Sequence, residues 1–185
     1  ERVREGIAAL PTERYRLMHD NQPPFYWLGI YKVAEQYGAT TIGSHTSFTL
    51  MGAYEDGDDG KLKARRHPRG LGLRFRGRDD LVPYLAEWYA DTPFYEDIIT
   101  PQTRLTNTLR FVEEWGVDGA VIHLNRGCEG VTAGALELKR ALQERGIPAT
   151  VYEGNYVDRR DLSQSQVVDT LETFMESQGL KRISP

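Results

Sequence analysis

The sequence is poor in cysteine: 185 residues contain one, Cys128. A disulfide scaffold is therefore excluded, and a reducing, cytoplasmic setting is favoured. No zinc or iron–sulfur site built on several thiolates fits within this chain alone. Long apolar runs are missing too, which excludes a transmembrane helix. The opening residues, Glu1 to Gly6, carry no signal-peptide core and no initiator Met, which suggests an internal piece of a longer polypeptide or a processed chain. There is no Gly-x-Gly-x-x-Gly fingerprint, no phosphate loop and no nucleophile elbow, so chemistry of those kinds has no support. The four histidines, at 19, 45, 67 and 123, show no metal-ligand spacing.

Excess positive charge is also absent. The net charge is −4, which argues against general nucleic-acid affinity. Residues 61–78 depart from that average: they hold eight Lys/Arg and no acid, leaving the remainder with 15 basic against 27 acidic residues. This block binds phosphates such as those of coenzyme A through Arg65, Arg66 and Arg69, docks an acidic surface, or is simply solvated beside the acidic run 55–59.

What is present reads as alternating strands and helices. Strands are expected at 14–18, 39–44, 117–124 and 149–153, where β-branched and aliphatic residues dominate. Helices are expected at 27–37, 81–90, 103–115, 132–145 and from Ser163 to about 178, with Gly38, Gly116 and Gly146 as stops. Residues 45–80 form an irregular insertion, with a short strand possible at 73–76. Strands separated by helices imply a parallel sheet of about four strands covered on both faces, a single Rossmann-like or flavodoxin-like α/β lobe over 1–185. Ligands of such sheets sit beyond the carboxyl ends of the strands. Those ends carry His19 to Pro24, Ser44 to Ser47, Asn125 to Cys128 and Gly154 to Arg160.

Cys128 follows a strand and precedes a helix, where exposed N–H groups stabilise a thiolate; the plain alternative is a small residue filling a turn. Asn125 and Arg126 form an anion site with that helix or a solvated loop. Ser44 and His45, past the second strand, are suited to moving a proton or holding a carbonyl. His123, inside an apolar strand, reads as a hydrogen-bonded structural residue. The aromatic run 23–27 either lines a pocket or packs as core.

The run Gly146-Ile147-Pro148, Glu153-Gly154, Tyr156, Asp158, Arg160, Ser163, Gln166, Leu171-Glu172, Phe174 and Glu176, placed after Cys128, resembles the C-terminal part of the benzoyl-CoA reductase and 2-hydroxyacyl-CoA dehydratase family. Arg14-Tyr15-Arg16-Leu17 leans toward the benzoyl-CoA reductase branch. Asn155 stands where many members have Asp, and Thr170 where many have Arg. The resemblance implies a Rossmann-like lobe of a subunit that works with a homologous partner subunit. It implies a 4Fe–4S cluster at the junction of lobes, with Cys128 as this lobe's ligand and the other ligands outside the chain. It further implies an acyl-CoA substrate and an ATP-hydrolysing activator iron–sulfur protein. The reaction would be low-potential radical reduction of an aromatic acyl-CoA, with Ser44, His45, Asn125 and Arg126 near the substrate. A 2-hydroxyacyl-CoA dehydratase subunit is the alternative within the same chemistry. A non-catalytic scaffold or acyl-CoA-binding subunit is the alternative outside it.

Overall fold

Alternation along the strands decides which side chains face which helices. In a computed structural model, which describes all residues except 3, 9, 45–48, 50, 51, 53, 94–98, 184 and 185, four strands form one parallel sheet. They are β1 (Tyr15–Asp20), β2 (Ala39–Gly43), β5 (Gly119–Asn125) and β6 (Ala149–Gly154), in the order β2-β1-β5-β6. Successive strand residues point to opposite faces. Leu17, Val121 and Tyr152 therefore meet α1 (Ile30–Glu35) and α6 (Gln164–Ser177), packing on Ile30, Val33, Leu171 and Met175. Met18, Ala120 and Ile122 face the other way, onto α3 (Pro101–Trp115) and α5 (Ala135–Glu144), against Leu109, Val112, Leu138 and Leu142. The expected parallel α/β sheet with helices on both faces is the observed one.

The strand order reverses between β1 and β5, because the chain passes from β1 outward to β2 and then returns across β1 to β5. The carboxyl ends of β1 and β5 thus flank the crevice where open α/β sheets receive ligands.

Several boundaries differ from expectation. Strand β1 runs through His19 and Asp20, read from sequence as loop, because Asp20 pairs in register with Ile122. The first helix starts at Ile30 rather than 27, after turns. The insertion contains a hairpin, β3 (Tyr54–Asp56) with β4 (Leu62–Ala64), rather than a strand at 73–76. The acids of β3 are matched: Glu55 with Lys63 at 3.7 Å, and Asp56 with Arg110 of α3 at 2.5 Å. Helix α2 (Arg78–Ala90) begins a turn before position 81, which places Pro83 in its second turn.

The expected helix over 132–145 is two pieces, a single turn α4 (Glu129–Thr132) and then α5. Ala133 is extended and Gly134 has φ 75°. Ser163 does occupy the N-cap of α6, but its hydroxyl meets Ser165 Oγ at 3.3 Å and caps no backbone N–H.

Gly154 ends β6 under tight constraint. A Cβ there would lie 2.5 Å from Leu162 Cδ1 and 3.0 Å from His123 Nε2. Gly154→Ala is expected to lower stability by about 1–3 kcal/mol through overpacking. Gly70→Ala, with open space around it, should stay within about 0.5 kcal/mol. Urea unfolding of both variants checks the contrast, and equal midpoints would refute it.

Candidate functional site

The crevice between β1 and β5 is closed beneath by a buried polar cluster. Asp20, at the end of β1, is 0% exposed and faces α3. There the Arg104 Nη2 donates to Asp20 Oδ2 at 2.6 Å and to Asn21 Oδ1 at 3.1 Å. The Nη1 of the same guanidinium donates to the carbonyls of Val131 at 2.6 Å and Ala133 at 2.8 Å. Asn21 adds donations from Nδ2 to Val131 O and His123 O. It takes φ 65°, a backbone region that Asn visits more readily than most residues. One cation therefore joins β1, α3 and the segment after β5.

That segment bears Cys128. It is fixed at further points: Arg126 N–H donates to Gly154 O at 2.7 Å, Thr132 Oγ1 donates to Asn125 O at 3.0 Å, and Asn155 Nδ2 donates to Arg126 O at 3.2 Å. Cys128 is half-buried and holds the N-cap position of α4. The helix that follows it is one turn long, so the dipole support expected of a long helix is largely missing, since that effect grows from aligned peptides.

On the opposite face of the sheet lies a stack of rings. The neutral His19 donates Nδ1–H to Asn21 O at 3.1 Å and accepts the Tyr152 hydroxyl at Nε2, 2.9 Å away. His123 donates Nδ1–H to Gln22 O at 2.8 Å and stacks on Tyr152, with centroids 4.6 Å apart and planes 11° apart. The Tyr156 ring meets His123 edge-on at 5.3 Å. Burial dominates their titration. It lowers His19 to about 4 and also lowers His123, so both imidazoles are neutral near pH 7. It raises Tyr152 and lifts Tyr156 to about 12. The structural reading of His123 holds: it is 0% exposed.

The residues singled out from sequence are not all gathered here. Asn125 ends β5 in a buried position, and its Oδ1 accepts the Tyr156 N–H at 2.9 Å, tying two strand-end loops together. Arg126 turns outward, pairs with Glu153 at 2.6 Å, and lines an open groove of about 650 Å³ between β6 and α6. Ser44 is buried at the end of β2; His45 lies outside the described residues.

The basic block lies elsewhere. Arg65 covers the Trp88 ring at 3.9 Å, pairs with Asp91 at 3.3 Å and lines a hollow of about 360 Å³ with Asn107 and Arg110 of α3. Arg66 and Arg69 are exposed. In the aromatic run, Phe25 is exposed against Tyr156, while Tyr26 and Trp27 pack partly on the core. Among the described residues, no group of three or more His, Cys, Asp and Glu side chains is placed to hold a metal ion. No described helix is long and apolar enough to cross a membrane.

Sequence reasoning placed Asp20 and Asn21 in a strand-end segment without a role of their own, and missed Arg104. A signal existed for Arg104: it shares the buried face of α3 with Thr108, Phe111 and Val112. A charge on an apolar stripe asks for a partner.

A family model described as "2-hydroxyglutaryl-CoA dehydratase, D-component" matches residues 1–177. The chain is 26% identical over 190 residues to a benzoyl-CoA reductase subunit of Thauera aromatica, covering 98% of this chain and 39% of that protein. It is 36% identical over 106 residues to the (R)-phenyllactyl-CoA dehydratase alpha subunit of Clostridium sporogenes, covering 57% of this chain and 24% of that protein. The chain thus spans well under half the length of either relative.

Two outcomes follow from the cluster. Arg104→Met strands the Asp20 carboxylate in the interior and should cost about 3–5 kcal/mol, with Asp20→Asn in the same chain recovering part of it. Urea unfolding measures both; an unchanged midpoint for Arg104→Met would remove Arg104 from its central role. His19 titrates near 6.5 when unfolded and at about 4 when folded. The unfolded chain thus takes up a proton that the native state refuses. Its contribution to stability is complete above pH 6.5 and is lost as pH falls toward 4, on the order of 3 kcal/mol. His19→Gln should flatten that limb of the stability–pH curve, and an equally steep limb in the variant would contradict the assignment.

Proposed function

The chain belongs to the 2-hydroxyglutaryl-CoA dehydratase, D-component family, and from that premise we propose that it is a lobe of a cytoplasmic benzoyl-CoA reductase-type subunit in which Cys128 ligates a 4Fe–4S cluster. The observation that carries this is the placement of Cys128. It is half-buried on a segment bound to three strand ends and to α3, at the point where the strand order reverses. Thiolates are the usual cluster ligands. The chain's donor set fits as one share of a site and no more: one thiolate is present, so the remaining ligands come from residues outside this chain.

When bound, the cluster supplies low-potential single-electron chemistry to an acyl-CoA thioester, with electrons delivered by an ATP-hydrolysing activator protein. A homologous partner subunit completes the assembly. The chain's own contribution is positional. Arg104 and Asn21 hold the carbonyls of the Cys128 segment, so the sulfur keeps a fixed station above β5. The neutral His19 and His123 are enclosed by Tyr152 and act as packing, not as acids exchanging with solvent. Ser44 at the β2 end, His45 next to it in the sequence, and Asn125 and Arg126 at the β5 end are the groups assigned to substrate positioning and proton movement. Arg66 and Arg69 are free to meet coenzyme A phosphates, whereas Arg65 first has to leave Asp91.

The higher identity to the Clostridium sporogenes dehydratase subunit, 36%, favours a second reading, a 2-hydroxyacyl-CoA dehydratase subunit. Both readings place Cys128 on the cluster. In the full-length protein with its partner, prepared without oxygen, Cys128→Ser should lower the iron content and abolish turnover. Unchanged iron and turnover would overturn the assignment and leave a scaffold or acyl-CoA-binding role. Activity on benzoyl-CoA against a 2-hydroxyacyl-CoA, with activator, ATP and reductant, separates the two readings.

A further inference from the structure

Buried side-chain atoms without a hydrogen-bond partner are concentrated in one place. Among the described residues there are seven, and five of them surround the crevice: Asp20 Oδ1, Arg104 Nε, Thr108 Oγ1, His123 Nε2 and Tyr156 Oη. Folded proteins pair such atoms, so each exception asks for a reason. The Tyr156 hydroxyl is the one whose residue is held most firmly. Its N–H donates to Asn125 Oδ1 at 2.9 Å, and its carbonyl accepts the Phe25 N–H at 3.0 Å. Its ring meets His123 edge-on at 5.3 Å and Phe25 at 5.9 Å. A residue fixed in this way keeps its hydroxyl inside, with a proton that no acceptor takes.

Tyr156 stands two residues past the end of β6. Beyond a strand end the two faces of the sheet are no longer separated, and groups of both reach the phenol: His123 from one, Asp20 and Arg104 from the other. Asp20 Oδ1 and His123 Nε2 are acceptors, yet both stay unpartnered beside it, so neither is in reach of its proton. The Gln22 N–H lies toward the oxygen and can serve only its lone pairs. Cys128 is different. Its segment is tied to that of Tyr156, since Arg126 N–H donates to Gly154 O at 2.7 Å and Asn155 Nδ2 to Arg126 O at 3.2 Å. Burial is the main cause that raises the phenol, but among the charged groups Cys128 acts on it ahead of Asp20 and Arg104. A neutral thiol is a weak acceptor, and no hydrogen bond joins it to Tyr156. A metal-bound thiolate carries charge, and charge-assisted hydrogen bonds are roughly twice as strong as neutral ones.

We propose that Tyr156 is a positioning residue whose hydroxyl donates to the Cys128 sulfur once that sulfur is a metal-bound thiolate. This role rests on the reading of Cys128 as a cluster ligand and adds a second residue of this chain to it. Hydrogen bonds to ligating sulfurs stabilise the more negative, reduced state and so raise the reduction potential. A phenol suits the place, because its ring is apolar and its hydroxyl brings one donor and no charge. The unsatisfied hydroxyl of the metal-free chain and the donor to the sulfur are then one group in two states.

The test uses the full-length protein with its partner, prepared without oxygen. In a redox titration followed by EPR, Tyr156→Phe should shift the reduction equilibrium roughly tenfold toward the oxidised form, about 59 mV lower for one electron. Tyr152→Phe, inside β6, loses a hydroxyl that donates to His19 and should leave the potential in place. The second readout is urea unfolding of the metal-free full-length protein. There Tyr156→Phe removes a hydroxyl that has no partner and should hold or raise the midpoint, whereas Tyr152→Phe removes a buried hydrogen bond and should lower it. Loss of iron from Tyr156→Phe with an intact metal-free midpoint also supports the contact at the sulfur. An unmoved potential would overturn the proposal and leave the hydroxyl to an internal water. A metal-free midpoint that falls as far in Tyr156→Phe as in Tyr152→Phe would overturn it too, since the hydroxyl then already has a partner. Cys128→Ser with its iron intact overturns the cluster reading itself. Iron lost from Cys128→Ser beside an unmoved potential in Tyr156→Phe overturns only the role of Tyr156.

Discussion

A guanidinium with almost no water around it governs the carboxyl end of this sheet. The Arg104 side chain is 5% exposed and its partner Asp20 is not exposed at all. Removing two such charges from water costs several kcal/mol per ion, and mutual attraction returns that only when the remaining donors are used. Here they largely are. Four hydrogen bonds leave the two Nη atoms, two to side-chain oxygens on β1 and its loop, and two to carbonyls near α4. Without that cation, the carbonyls of Val131 and Ala133 lose a donor that no regular element replaces, because α4 lasts only one turn. The short helix and the buried ion pair are therefore one feature: the chain leaves helical geometry at Ala133 and Gly134, and Arg104 satisfies what the missing helix would have satisfied.

The layered sheet was legible in the sequence because it rests on local pattern. Aliphatic strands at 117–124 and 149–153, an amphipathic helix before Gly146 and another before Gly179 are periodic features, and periodicity survives without tertiary information. The break within 132–145 was not legible, since Ala135, Leu138 and Leu142 continue the helical pattern up to Gly134, and only the backbone turn at that glycine interrupts it. The hairpin at 54–64 was hidden for a different reason. Its acidic run reads as solvent-exposed loop, and its stability comes from Arg110, Glu114 and Trp115, some fifty residues later: Leu62 N–H donates to Glu114 Oε2 at 2.7 Å, and Tyr54 meets the Trp115 ring edge-on at 5.5 Å.

The candidate site divides in the same way. Cys128 and Asn125 could be placed at a strand end because strand ends can be counted along the sequence. The pairing of Asp20 and Asn21 with Arg104 was missed because the contact spans 84 residues and appears only after β1 and α3 pack. Asn155 shows how a departure from a family pattern acquires a physical reason. Its Oδ1 accepts the N–H groups of Val157 and Asp158, which an aspartate would also do. Its Nδ2 donates to Arg126 O and to Asp161 Oδ2, which an aspartate cannot. In this chain the amide bridges two strand-end loops where a carboxylate would face another carboxylate.

The fold also separates two kinds of surface. Helix α3 runs from Arg104, under the crevice, to Glu114, under the hairpin, a rise of about 15 Å at 1.5 Å per residue. The side chains that face the sheet, among them Leu109 and Val112, build core, whereas Arg110 and Glu114 on its outer side carry the hairpin. The insertion thus rests against the back of α3, and Arg65 ties it to Asp91 at the end of α2. The exposed leucines of α2 lie on a peripheral segment, whereas Asp20 and Arg104 are paired and buried beneath the crevice. A paired and buried cation is screened far less by salt than an exposed one and holds one geometry, whereas an exposed array can exchange partners.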